Sequence, residues 1–275
     1  MTDAGLPTYV TTSWDDGHPL DLRTAELLAK HGIRGTFYVP ETTERERMTL
    51  RDIRALSAAF EVGAHTIHHA DLTKARGDVA WQEISRSKAW IEDVTGRPCL
   101  LFCPPLGRYA APHLEMIRRA GYVGLRSVEA VSLDFPRRHA GLLLMPTSLQ
   151  AHPQGLLPVA RNALKRAALG NLWRFIVHGG TTEWPRIAQS LLRRALVRGG
   201  VFHLWGHSWE LEENTQWRRL EDVLRLMGAV AARAPSLTNG EICRLVLTDA
   251  ARDIADPARA HEANWAGSAG GAAPS

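Results

Sequence analysis

The sequence predicts a single α/β domain built on parallel strands, and three observations carry that reading. Short β-branched or apolar runs alternate with runs of helical periodicity, the pattern of strands joined by right-handed crossovers. The 275 residues, 45% hydrophobic and 23% charged, suffice for one large core, and α/β barrels of this length commonly stay undivided. No internal repeat breaks the alternation, and low-complexity composition is confined to Ala266–Ser275, which reads as a disordered tail.

Tyr9 to Trp14 has the β-rich composition of a strand, stopped by Gly17 and Pro19 just beyond Asp16. Leu20 to His31 carries the apolar spacing of a helix closed by Gly32, and Gly35 to Val39 is a second strand ended by Pro40. Leu50, Ile53, Leu56 and Phe60 mark a helix, followed by a short strand from Glu61 to His65 and a polar, His-rich stretch to Asp71. The next helix has Asp78 as its cap, Trp81, Ile84 and Ile91 on one stripe, and Gly96 at its end. Leu100 to Cys103 is a strand halted by Pro104-Pro105, Pro112 to Ala120 a helix, and Tyr122 to Leu125 a strand. From Ser127 to Gly170 four prolines interrupt apolar patches, predicting an irregular insertion that lines a groove. Regularity returns with a helix over Trp184–Arg198, a strand over Val201–Trp205 and a helix over Thr215–Arg233.

The formal net charge of +4 comes from scattered basic residues, with no Lys/Arg run interleaved with aromatics, so nucleic acid is not expected as a partner. Cys99, Cys103 and Cys243 make neither an even framework nor a Cys-x-x-Cys pair, which fits free thiols in a reducing compartment. The first residues lack a basic segment followed by an apolar stretch, and no stretch approaches the roughly twenty apolar residues of a membrane span. The expectation is a cytoplasmic protein.

Two motifs carry chemistry. Asp15-Asp16-Gly17 ends the first strand, where neighbouring residues point in different directions, so one carboxylate can ligate a metal while the other acts as a base. By itself the triplet also reads as an ordinary turn. His65 and His69, four apart after another strand, can converge on one ion if the segment makes a single helical turn. In a parallel barrel both motifs lie on the C-terminal rim, where such folds do their chemistry.

Ser-Trp-Asp-Asp-Gly at 13–17, Gly-Ala-His-Thr-Ile-His-His at 63–69, Phe-Cys-Pro-Pro-Leu-Gly at 102–107 and Val-Phe-His-Leu-Trp-Gly-His-Ser at 201–208 resemble, in order and spacing, the blocks of the polysaccharide deacetylase family, also called NodB-homology or carbohydrate esterase family 4. The resemblance implies a distorted (β/α)7-type barrel over about residues 9–250, with residues 1–8 as an N-terminal extension, 127–170 as the insertion and 251–275 as a tail. It implies metal-assisted hydrolysis of an N-acetyl group on an amino sugar or glycan, with one divalent ion, Zn²⁺ foremost and Co²⁺, Ni²⁺ or Mn²⁺ also acceptable. Carried over by motif, Asp15 matches the base, Asp16, His65 and His69 match the metal ligands, and the backbone N–H of Leu106 inherits the oxyanion contact. His68 is read as a surface or supporting residue rather than a third imidazole ligand. The family's acid is a late histidine after an apolar strand; His207 is favoured, with His203 as the alternative. Pro105, Trp205 and Trp209 are candidates for the substrate wall, although burial is the commoner fate of an aromatic.

Two places depart from the family's pattern. Cys103 and Leu106 stand where an arginine and an aromatic are usual, and the fourth block has only Asp134-Phe135 as a weak match. Arg108 or Arg126 could supply the missing charge beside Asp15. A hydrolase of another amide, such as a cyclic imide or ureide, is the rival enzyme reading, and a metal-free glycan-binding barrel the rival without catalysis.

Overall fold

A computed structural model describes residues 6–129, 131–153 and 183–255. Strand β1 (Thr8–Asp15) leads into helix α1 (Asp21–Lys30), β2 (Gly35–Val39), α2 (Leu50–Ala59), β3 (Glu61–Ala64), α3 (Gly77–Thr95), β4 (Leu101–Phe102), α4 (Ala111–Arg119) and β5 (Gly124–Arg126). A hairpin of β6 (Arg137–His139) and β7 (Leu142–Met145) follows, then β8 (Leu149–Gln150). The described chain resumes with α5 (Trp184–Arg198), β9 (Gly200–Gly206), α6 (Ser208–Glu213), α7 (Trp217–Ala229) and α8 (Asn239–Ala255). None of the described helices is long and apolar enough to cross a membrane.

The strands form one sheet in the order β6-β7-β5-β4-β3-β2-β1-β9-β8, parallel throughout except for the β6–β7 pair. β7 and β8 stand near opposite ends of that order, yet only residues 146–148 separate them in the chain. The sheet therefore curls until its ends approach, which is how Arg126 on β5 reaches Asp15 on β1. This is the distorted barrel expected from the resemblance, in a single α/β domain.

Alternation sorts the strand residues by face. Val10, Trp14, Phe37, Phe202 and Leu204 join a continuous core with helix residues such as Leu28, Ile84, Leu191 and Leu224. On α5 the buried Trp184, Ile187, Ala188, Leu191, Leu192 and Ala195 recur at helical spacing and account for its docking. The opposite face of β1 turns Thr11, Ser13 and Asp15 inward. The N-terminal end of the barrel is closed by the start of α8: Asn239 accepts from the Thr11 hydroxyl (2.9 Å) and donates through its backbone N–H to the Thr36 hydroxyl oxygen (3.0 Å), while Gly240 N–H donates to the half-buried Glu61 carboxylate (2.9 Å). Ile242 and Cys243 fill the space above them. Polar inward residues are thereby left for the other end.

Three expectations need correction. Between Ser127 and Gln150, where irregular chain was expected, β6, β7 and β8 complete the sheet; β6 is basic and exposed, and the runs of two to four residues, set among prolines, lack a readable period. Residues 130 and 154–170 of that stretch, and the tail beyond 255, lie outside the described residues. Asp78 lies in the first turn of α3, with Arg76 at the cap position, so its carboxylate acts on the helix dipole and not as a cap. The helix expected over Thr215–Arg233 is shorter, Trp217–Ala229, and is preceded by the short α6.

Candidate active site

The C-terminal rim is shaped by backbone that most residues avoid. Among the described residues seven non-glycine positions have positive φ, and four of them, Asp16 (80°), Thr66 (62°), His69 (50°) and Leu106 (59°), lie here. After β1 the chain passes through two left-handed residues, Asp16 and Gly17, so Asp15 follows the strand's inward face while Asp16 is thrown sideways. Gly17 cannot be replaced cheaply, since a Cβ there would lie 2.7 Å from Val39 Cγ1.

His65 and His69 meet, with ring centroids 4.9 Å apart, but not through a helical turn. The left-handed residues Thr66 and His69 fold residues 65–69 into a loop, and the Glu83 carboxylate on α3 holds it by accepting from Ile67 N–H and His68 N–H (both 2.9 Å) and from His68 Nδ1 (2.6 Å). His68 thus supports the loop. His65 donates through Nδ1 to the Cys103 carbonyl (2.6 Å), which leaves its Nε2 with a lone pair 3.5 Å from Asp16 Oδ1. His69 Nε2 lies 3.1 Å from the same oxygen. That oxygen is buried and meets no hydrogen-bond donor. Three electron-pair donors facing one another at the bottom of a cavity fit a divalent cation, and two imidazoles with one carboxylate are a set that zinc accepts. Asp15, His65 and Cys103 also cluster, but the Arg126 guanidinium already binds Asp15 and its fixed positive charge opposes a second ion there.

Arg126 is fully buried, beside the rings of Trp205 and Tyr38, and hydrogen-bonds Asp15 Oδ2. It supplies from β5 the charge absent at Cys103, whereas Arg108 pairs with Asp71 (2.8 Å). Burial alone would raise the Asp15 carboxyl, but Arg126, His65 and His207 outweigh it and hold Asp15 below the usual carboxylate range. Burial likewise opposes ionisation of Asp16, but the neighbouring imidazoles of His65, His69 and His207, when protonated, outweigh it and hold the Asp16 carboxyl far below the usual range. The Cys103 thiol is pushed well up by burial, so it is a poor nucleophile despite lying 3.9 Å from Asp15 Oδ2.

His207 lies just past β9, with Nε2 4.0 Å from Asp15 Oδ2 and 4.0 Å from Asp16 Oδ2. Its Nδ1 donates to Glu210 Oε2 (2.8 Å), one turn along α6. Burial lowers its pKa, but the Glu210 bond and the two aspartates prevail and push it up to about 8. His203 is enclosed: Nδ1–H donates to the Pro146 carbonyl (2.8 Å), Nε2 accepts from the Ser13 hydroxyl (2.9 Å), and burial followed by Arg126 pulls its pKa down to about 3.

A cavity of about 920 Å³ opens over these groups. Trp205, Trp209 and Leu106 lie on its wall, whereas Pro105 is buried in the turn beneath Leu106. Trp209 donates from its indole to Asp16 Oδ2 (2.9 Å), and the Arg45 guanidinium stacks 3.4 Å from its ring centroid. Asp134 bonds the Ser132 hydroxyl (2.8 Å) and Phe135 packs on Tyr9, so this pair stays outside the cavity wall. Glu210 and Glu83 escaped the sequence reading. A His-x-x-Glu spacing at a helix start was the available signal for the first, and the second offers none, because the contact spans a loop and a helix.

Residues 4–125 match the sequence profile described as Polysaccharide deacetylase, a stretch that contains Asp15, Asp16, His65, His69 and Leu106 and stops before Arg126 and His207. The peptidoglycan-N-acetylmuramic acid deacetylase PdaA of Bacillus subtilis is 28% identical over 102 residues, 36% of this chain and 38% of that protein, so the alignment spans well under half of either. In fold, the chain is similar to a Mycobacterium smegmatis structure assigned as a polysaccharide deacetylase, with a TM-score of 0.67 at 15% identity over 90% of this chain and 93% of that one. It is also similar to the chitin deacetylase of Colletotrichum lindemuthianum, with a TM-score of 0.54 at 17% identity over 86% and 88%. The rim motifs and the curled parallel sheet agree with this match, so residues 4–125 are similar to the polysaccharide deacetylase family and the fold is similar to that of the Mycobacterium smegmatis structure.

Proposed function

We propose that the protein is a divalent-metal-dependent hydrolase that removes the N-acetyl group from an amino sugar or glycan. The observation that carries the reading is the unsatisfied Asp16 Oδ1 between the Nε2 atoms of His65 and His69, with Asp15 and His207 beside it. Asp16, His65 and His69 would hold the ion, Zn²⁺ foremost and Co²⁺, Ni²⁺ or Mn²⁺ as alternatives. Bound there, it supplies a Lewis acid that polarises the amide carbonyl and makes water easier to deprotonate.

The remaining work belongs to the chain. Asp15, kept ionised by Arg126, takes the proton of the attacking water. The Leu106 backbone N–H would receive the developing oxyanion, a role supported by its position in a positive-φ turn on the cavity wall. His207 gives its proton to the departing amine, with Glu210 fixing the ring so that Nε2 faces the reacting centre. His203 has both nitrogens committed and stays neutral, which supports the assignment of the acid to His207. The cavity has room for sugar rings against Trp205.

Incubating zinc-loaded protein with N-acetylglucosamine oligomers and with glycan containing N-acetylmuramic acid tests the proposal. The expected result is acetate and free amine in equal amounts. Ring opening of a cyclic imide or ureide, with no acetate from any N-acetylated sugar, would overturn it.

A further inference from the structure

We propose that Trp209 is a positioning residue for the metal site, its indole N–H holding Oδ2 of Asp16 so that Oδ1 alone is presented to the ion. The inference rests on the reading of Asp16, His65 and His69 as ligands. A carboxylate turns readily about its last torsion, which is broad and roughly two-fold, so either oxygen, or both, could face the ion unless one is tied. Here one is tied. Trp209 Nε1 donates to Oδ2 at 2.9 Å, while Oδ1 has no donor and lies 3.1 Å from His69 Nε2 and 3.5 Å from His65 Nε2. Backbone constraint does not do this work, because Asp16 sits at a φ of 80° in a turn whose next residue is also left-handed.

The indole is itself held. It lies in the first turn of α6, two residues after His207, whose ring centroid is 5.3 Å away. Arg45 covers its face at 3.4 Å and forms an ion pair at 3.2 Å with Glu213 on the same helix. A face so covered is less available to stack on a sugar, the role expected for Trp209 from the sequence, whereas its N–H is spent on Asp16. A one-oxygen contact also leaves coordination positions open for water and the substrate carbonyl, as a catalytic site needs. The same turn of α6 therefore sets the aspartate and carries the proposed acid, which fixes the spacing between ion and proton donor.

Cobalt affinity, measured by chelator competition, and the visible absorption of the Co²⁺ protein test this without turnover. The variants are Trp209→Phe, which keeps a ring, and Trp209→benzothienylalanine, which keeps the shape and replaces the N–H with sulfur. Loss of an outer hydrogen bond to a ligand costs about 10–100-fold in metal affinity, and that weakening is expected in both variants, with an altered visible band as Asp16 Oδ2 becomes free to coordinate. Should Trp209→Phe fail to fold, the benzothienyl variant decides. Wild-type affinity and an unchanged spectrum in that variant would overturn the positioning role and leave the metal reading standing; a wild-type protein that takes up no Co²⁺ would overturn both.

Discussion

His203 and His207 are four residues apart and differ in what their nitrogens meet. His203 has both committed, whereas His207 has one nitrogen on Glu210 and the other facing Asp15 and Asp16. An acid works only while protonated, so with His207 as the proposed acid the alkaline limb of kcat/KM is expected to follow its pKa, pushed up to about 8. Glu210→Gln removes a hydrogen bond and a charge that raise that value, and the limb is expected to move to lower pH; an unmoved limb would contradict the role of Glu210. At Cys103 the arginine expected from the resemblance is absent, and Arg126 pairs with Asp15 from another strand. Cys103→Ala should therefore leave turnover nearly unchanged. Arg126→Met, which strands a buried carboxylate, should cost about 3–5 kcal/mol in denaturant unfolding. Equal stability of the two variants would show that the pair matters less than its burial suggests. Residue types and spacing singled out Asp15, Asp16, His65 and His69, the resemblance divided them into proposed base and proposed ligands, and position past an apolar strand pointed to His207. The choice between Arg108 and Arg126 needed the curl of the sheet, which no local pattern encodes.

Two loops and a helix start hold the site together. Glu83 on α3 accepts three hydrogen bonds from residues 67–68, so it sets the path between His65 and His69. Glu83→Ala should cost about 2–3 kcal/mol in denaturant unfolding, because it leaves buried N–H groups without an acceptor, and should weaken metal binding by titration. Normal metal affinity in a folded variant would show that the loop holds itself. Asp21 opens α1 beneath the Asp15-Asp16-Gly17 turn, fully buried, and burial pushes its carboxyl well above its ordinary value of 3.8. The folded state thus keeps a proton that the unfolded chain releases, and stability attributable to Asp21 is lost as pH rises above about 4, by at most about 1.4 kcal/mol per pH unit. Asp21→Asn cannot release that proton. Its stability relative to wild type should climb as pH rises above about 4 in paired unfolding curves, and parallel curves would contradict the burial argument. The long elements were readable from period alone. β6 to β8 and α6 were not, since two to six residues carry too little period, and the convergence of His65 and His69 through a loop instead of a helical turn rests on positive φ at Thr66 and His69, which a spacing of four does not reveal.

At the scale of the molecule, the site exists because β9 returns beside β1. That pairing aligns Ser13 with Trp205 and Trp14 with Gly206, which brings His207 beside Asp15 and Asp16 at the end of the first strand. Strand–helix alternation predicted parallel strands and a C-terminal rim, whereas the strand order and the plug formed by α8 depend on long-range pairing that periodicity does not report. The matched residues 4–125 contain the proposed base and all three proposed ligands, and the proposed acid arrives from beyond them. The central claim is that adjacent carboxylates on one turn have separate duties, Asp16 toward the ion and Asp15 toward the proton. The most direct measurement is the turnover of Asp15→Asn at known metal content. The account predicts a full complement of metal with acetate release reduced by about 10²–10⁴-fold, the usual range for a lost general base. An Asp15→Asn protein that loses its metal, or one that keeps it and turns over at the wild-type rate, would contradict the division of roles.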